Sequence, residues 1–322
     1  MLGKPGSILT LLATIAASGV CVAQQYPTKP IRMIVPAGPG GGVDTVARAV
    51  GQPLGVALGQ PVVTENRPGA GTVLASELLA KAPPDGHTLL MATNSHAINA
   101  GIHKGLRYDA INDFGLVTLV ATVPYWLVVH PSVPAKSVKE LIALAKRRPG
   151  ELHFASAGSG SGTHLAFELF KSMAQIEVLH VPYKGGSAAL IDLLGGHVQL
   201  MMSNTINSRP HVTSRKLNAL AISTAKRSPT YPNVPTVAEA GLPGYQADVW
   251  YGVMVPAKTR QEIVDRLNRE IRTIIRTGEA QARLASEGAE VLGGTPTEFD
   301  TVLRNDIRKW AKLAAGLKLQ LD

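Results

Sequence analysis

Ile31-Arg32-Met33-Ile34-Val35 is followed at once by Pro36-Ala37-Gly38-Pro39-Gly40-Gly41-Gly42-Val43-Asp44: an apolar β-like run, a glycine turn, then a helical pattern reaching Val50. Strand, glycine turn and helix N-terminus make an anion cradle. Glycines let backbone N–H groups approach a ligand without a Cβ in the way, and the helix end adds partial positive charge. The turn is not a Walker A loop, because no Gly-Lys-Ser/Thr follows, and it does not match Gly-x-Gly-x-x-Gly. Nucleotide binding thereby loses support, and a carboxylate or phosphate remains. The plainer alternative is a tight turn that binds nothing. Asp44, in the first helical turn, reads as a partner of the helix dipole or of Arg48 at i+4, not as a catalyst.

A second loop of the same kind runs Ser156-Ala157-Gly158-Ser159-Gly160-Ser161-Gly162-Thr163, after the strand-like His153 to Ala155 and before a helix carrying Leu165, Leu169, Phe170 and Met173. It is not a nucleophile elbow, because Gly160 sits midway between Gly158 and Gly162 and breaks Gly-x-Ser-x-Gly. Ser159, Ser161 and Thr163 read as donors to an anion or as helix caps. Two such loops in separate halves of the chain predict two lobes presenting helix N-termini to one anionic ligand.

Working outward, 322 residues with 45% hydrophobic content suffice for a large core and about two domains. The N-terminus reads as an address: Lys4 supplies charge, Ile8 to Val22 is a short apolar run, and Cys21-Val22-Ala23 is a passable cleavage site. A signal peptide over residues 1–23 and an exported chain starting near Gln24 are expected. Ser18-Gly19-Val20 is a poor approach to a lipid-modified Cys21, so no anchor is expected there. Cys21 is the sole cysteine, so the mature chain would hold no disulfide or thiolate chemistry. The formal charge of +9, about +8 without Lys4, is spread along helix faces with no interleaved aromatics, which argues against nucleic acid.

Short β-branched runs alternate with helical patterns, the signature of α/β architecture with parallel strands. Candidate strands are Ile31 to Val35, Pro61 to Thr64, Thr88 to Ala92, Trp126 to His130, His153 to Ser156, Val178 to Val181, Val198 to Ser203, Leu217 to Ser223 and Tyr251 to Val255. Capping boxes are expected at Ser137/Glu140, Thr259/Glu262 and Thr295/Glu298. Gly51 and Pro53 should end or kink the helix after the first glycine loop. No long linker separates two halves, so the chain is expected to cross between lobes on strands near Tyr125 to Val129 and Asp248 to Val253, forming a hinge. The nine histidines show no metal spacing; His164 reads as packed or capping, and Asp85, Asp109, Asp113 and Asp192 as turn or helix-start residues. No metal, cofactor or catalytic constellation is predicted.

Six ordered motifs carry a resemblance: Pro36 to Asp44, Glu65-Asn66-Arg67-Pro68-Gly69-Ala70-Gly71, Ser156 to Leu165, His180-Val181-Pro182-Tyr183-Lys184-Gly185, Val234-Pro235-Thr236 and Trp250-Tyr251-Gly252-Val253. In that order, and from about Tyr26 to the C-terminus, they resemble the Bug family, the TctC-type extracytoplasmic solute receptors of tripartite tricarboxylate transporters. The resemblance implies a periplasmic, monomeric binding protein of α/β class. Its fold would be the two-lobed, type II Venus flytrap with two hinge-crossing strands, one lobe from 26–124 plus 249–322 and the other from 125–248. It also implies a small dicarboxylate, tricarboxylate or aromatic carboxylate as ligand, and membrane transporter subunits or, alternatively, a sensor as partner.

Carried over residue by residue, the resemblance marks Gly40, Gly41 and Gly42 in one lobe, and Ser156, Gly158, Ser159, Gly162 and Thr163 in the other. Asn94, Ser95, Tyr183, Lys184 and Gly185 would line the same cleft. Ser203 and Asn204 could meet the variable end of the ligand or simply form a strand-end turn. The family usually has a hydroxyl residue where this chain has Val43 and often an aromatic where it has Ala37, which implies a roomier pocket with one hydroxyl fewer. A secreted hydrolase using Ser159 or Ser161 is the rival reading.

Overall fold

The computed structural model describes residues 26–103, 105–286 and 288–317; the signal-peptide reading and Cys21 lie outside them. In chain order the elements are β1 (Ile31–Val35), α1 (Gly42–Leu58), β2 (Val62–Asn66), a 3-10 turn (Ala70–Thr72), α2 (Val73–Ala80), β3 (Thr88–Thr93), α3 (Asn94–Ile102), β4 (Phe114–Val129) and α4 (Val138–Arg147). Then come β5 (His153–Ser156), α5 (Gly162–Ala174), β6 (Leu179–Pro182), α6 (Gly186–Leu194), β7 (Leu200–Asn204), α7 (Thr205–Thr213) and β8 (Asn218–Ile222). The chain closes with β9 (Asp248–Pro256), α8 (Gln261–Arg276), α9 (Gly278–Ser286), β10 (Glu290–Val291) and α10 (Pro296–Leu317).

The strands run in the order β2-β1-β3-β9-β4-β7-β5-β6, with β8 and β10 each pairing β4. One strand belongs to both sheets. β4 pairs antiparallel with β9 as far as Pro124↔Asp248, and with β7 from Tyr125↔Asn204 onward. At ~3.3 Å per residue its 16 residues span about 50 Å, enough to serve both sheets. Proline has no N–H for a ladder bond, and Pro124 sits at the transfer point, where such a bond is dispensable.

The expectation of parallel strands holds for only part of the sheet. β1–β2, β1–β3, β5–β6 and β5–β7 are parallel, but β3–β9, β9–β4, β4–β7 and β4–β8 are antiparallel. The strand predicted at Trp126 to His130 also begins twelve residues earlier, at Phe114. Gly115, Thr118 and Pro124 break its apolar run, yet Thr118 is fully buried because its hydroxyl donates to Gly294 O at 2.7 Å.

Helices follow the burial of their faces. α1 continues through Gly51 and Pro53 to Leu58, because Val46, Val50, Leu54 and Leu58 form one buried stripe. Burying those side chains offsets the roughly 3 kcal/mol that an interior proline costs. In α8, Ile263, Leu267, Ile271 and Ile275 are buried at i+4 spacing; in α10, Phe299, Leu303 and Trp310 are buried. The Thr295/Glu298 box forms reciprocally, with Thr295 N donating to Glu298 Oε2 and Glu298 N to Thr295 Oγ1. At Ser137 the hydroxyl caps Glu140 N, but the Glu140 carboxylate accepts from Lys136 N, one residue before the expected partner. The Thr259/Glu262 box does not form: Thr259 Oγ1 donates to Pro256 O, and Glu262 pairs with Arg260.

Candidate functional site

β1, β3, β5, β6 and β7 each end at one cleft and hand the chain to a helix there, so helix N-termini gather at the carboxyl ends of the strands, where open α/β sheets place their ligands. A cavity of about 580 Å³ is lined by Gly41 and Gly42 from α1, Thr72 before α2, Asn94 and Ser95 from α3, Gly162 and Thr163 from α5, Gly185 and Gly186 from α6, and Asn204 before α7. The first N–H groups of a helix have no acceptor within it and carry its positive partial charge. Among the described residues, Lys184 is the single charged side chain in the lining, and no carboxylate lies there. The surface is built to receive negative charge.

The glycine-capped helices keep their donors open. α1 begins after Gly41 and α6 after Gly185, neither with a side-chain cap. Gly185 adopts φ +117, a conformation that favours glycine. These two loops meet across the cleft: a Cβ on Gly185 would lie 3.8 Å from Gly38 N, and one on Gly41 4.0 Å from Ser187 Oγ.

In the serine loop the helix-cap alternative holds for Ser161, whose Oγ accepts from His164 N, while Thr163 Oγ1 accepts from Ala157 N within the loop. Gly158 N donates to Ser156 Oγ, Gly160 N to His164 Nδ1, and Gly162 N to Ser95 Oγ on the opposite lobe at 3.1 Å.

Of the residues marked by sequence, Gly41, Gly42, Asn94, Ser95, Gly158, Ser159, Gly162, Thr163, Tyr183, Lys184, Gly185, Ser203 and Asn204 line the cavity. Gly40 and Ser156 do not. Gly40 N is held by Asp44 Oδ2, and the buried Ser156 hydroxyl lies 2.6 Å from His180 Nε2. Asp44 ties the first loop, receiving Gly40 N, Arg48 Nε and Asn66 Nδ2. Burial alone would raise its carboxyl, but these bonds outweigh that and hold it below the usual range. Sequence reading missed Thr72, Thr93, Gly186, Asn207, Met201 and Val249. Thr93, which caps Ser95 N, was legible as a hydroxyl just after the strand predicted to end at Ala92.

Ser156 with His180 forms a serine–histidine pair, but not a nucleophilic one. Ser156 is fully buried and outside the cavity lining, and the His180 ring stacks on His164 at 3.9 Å between centroids. Burial, followed for His164 by the nearby His180 and Lys171, lowers His164 to about 3, and burial and Lys171 lower His180 to about 4. Gly160 N–H occupies His164 Nδ1, which also opposes protonation there. Among the described residues no cluster of His, Cys, Asp and Glu could hold a metal ion.

Closure is glycine-dependent. A Cβ on Gly42 would lie 2.8 Å from Asn204 Nδ2, one on Gly71 2.6 Å from Ser159 O, and one on Gly162 2.8 Å from Asn94 Oδ1. Each is a contact between elements of opposite sheets, and none leaves room for a methyl group.

A sequence profile of the tripartite tricarboxylate transporter family receptor, TctC, matches residues 46–319. Protein BugT of Bordetella pertussis is 37% identical over 313 residues, covering 96% of this chain and 96% of BugT. The structure of R. palustris Rpa4515 with adipate superposes with a TM-score of 0.88 at 36% identity, covering 92% of this chain and 99% of that one. MatC from Rhodopseudomonas palustris with bound malate superposes at 0.86 with 31% identity, covering 89% and 99%.

Two outcomes follow from this geometry. Gly42→Ala suits a helical backbone, with a propensity gain of up to about 1 kcal/mol, yet opposes the cleft's closure; unchanged or higher thermal stability with a larger radius of gyration in X-ray scattering is expected, and unchanged scattering would contradict the contact. His164 and His180 have folded pKa values below the unfolded value of about 6.5, so the unfolded chain binds more protons between about pH 4 and 6.5. Stability is then full above that window and declines as pH falls through it. His180→Gln should flatten that decline by up to about one proton in denaturant titrations at several pH values.

Proposed function

The chain belongs to the receptors of the tripartite tricarboxylate transporter family, binding proteins rather than enzymes, and from that membership we propose that it captures a small carboxylate in the periplasm and delivers it to the membrane subunits of such a transporter. The observation that carries the carboxylate reading is the lining itself: helix N-termini from both sheets, one lysine and no acid. Rpa4515 holds adipate and MatC holds malate in the same fold, which supports a carboxylate here. Among the described residues no helix is long and apolar enough to cross a membrane.

In this mechanism the carboxylate docks on the open N–H groups of α1, at Gly42 and Val43, and of α6, at Gly186. The second lobe, residues 125–248, closes through the hinge where β4 changes partner and β9 begins. Asn94, Ser95, Gly158, Ser159, Gly162, Thr163, Tyr183, Lys184, Gly185, Ser203 and Asn204 complete the enclosure, while Gly40 and Ser156 brace the loops from behind. Excluding water strengthens charge-assisted hydrogen bonds to the anion. No bond is made or broken.

Thermal shift tests the reading, since a ligand at 100 times its Kd stabilises a protein that binds it only when folded by about 2.7 kcal/mol. Small carboxylates should raise the melting temperature, and their primary amides should not. A shift with phosphates or sugars but with no carboxylate would refute it.

A further inference from the structure

We infer that the captured acid has an unsubstituted hydrocarbon body, aryl or alkyl, rather than a hydroxylated or amino-substituted one; this rests on the carboxylate reading above and narrows it. The cavity, about 580 Å³, is well within the range that encloses whole small molecules, so its walls must meet the carbon skeleton as well as the head group. Pro36, Ala37, Val43, Pro68, Met201 and Val249 line it, and none of these side chains carries a hydrogen-bonding group. The two prolines also remove backbone donors from the loops after β1 and β2. Val43 stands in the first turn of α1, beside the open donors.

The polar side chains of the lining are largely committed to the protein. Asn204 donates to Tyr251 Oη and accepts from Ile206 N. Asn94 Nδ2 donates to Asp248 O, and Tyr183 Oη to Asp192 Oδ2. Thr93 and Thr163 accept from Ser95 N and Ala157 N. What is left open is main-chain N–H, which suits an anionic oxygen, together with the buried Asn94 Oδ1 beside Gly162. A hydroxyl on the ligand body would face Val43 and the prolines and lose its bonds to water. An ammonium would be worse placed, because no carboxylate in the lining can pair with it.

The test is calorimetric titration of the full mature chain with a matched set: phenylacetate, mandelate (the same acid with a hydroxyl), phenylglycine (with an ammonium) and phenylacetamide (without the negative charge), together with hexanoate, malate and citrate. Phenylacetate or hexanoate should bind about tenfold more tightly than the substituted acids, since a polar group buried without a partner loses its bonds to water. Val43→Ser should narrow the gap between phenylacetate and mandelate; if that variant does not fold, Ala37→Ser on the same wall is measured instead. Equal or tighter binding of mandelate, phenylglycine, malate or citrate overturns the inference and leaves the carboxylate reading standing. Phenylacetamide matching phenylacetate, or no binding by any of these acids, overturns both.

Discussion

The cleft depends on backbone N–H groups that their own helices cannot satisfy. Each strand that ends there hands the chain to a helix whose first turn faces the cavity, and unpaired buried donors are costly unless an acceptor arrives. Three helices meet that demand internally: Thr93, Ser161 and Asn204 cap α3, α5 and α7. α1 and α6 do not, because glycine stands at the cap position. A fold with uncapped helix ends on both sides of a cleft favours an anion there. The choice of glycine over serine at two caps is thus where local structure becomes function.

Other glycines govern closure. Opposing elements approach so nearly at Gly42, Gly71 and Gly162 that hydrogen bonds such as Gly162 N to Ser95 Oγ can span the gap. β4 makes the movement possible by belonging to both sheets, exchanging β9 for β7 between Pro124 and Tyr125. Few residues then need to change conformation for the lobes to part, the usual economy of a hinge. The stacked His164 and His180, held neutral by burial, brace the serine loop from beneath.

Much of this was legible in the residues. β1 runs from Ile31 to Val35 as predicted, because an apolar run followed by a glycine turn leaves little choice. Asp44 was readable as a partner of Arg48 from their spacing alone. The strand at Phe114 was not, since Gly115, Thr118 and Pro124 disguise it and its burial comes from β9, more than a hundred residues away. Nor could sequence tell that the Thr163 hydroxyl is tied to Ala157 N within its own loop, or that α6 supplies the open helix end facing α1. Those depend on which loop lies opposite which, and local patterns do not carry that information.

A crystal structure of the chain with a bound carboxylate tests the central claim most directly. The carboxylate oxygens should lie within hydrogen-bond distance of the first-turn N–H groups of α1 at Gly42 and Val43, with the α6 N-terminus at Gly186 closing on the same ligand. An anion held elsewhere in the cleft by side chains alone, with both glycine-capped helix ends left to water, would contradict it.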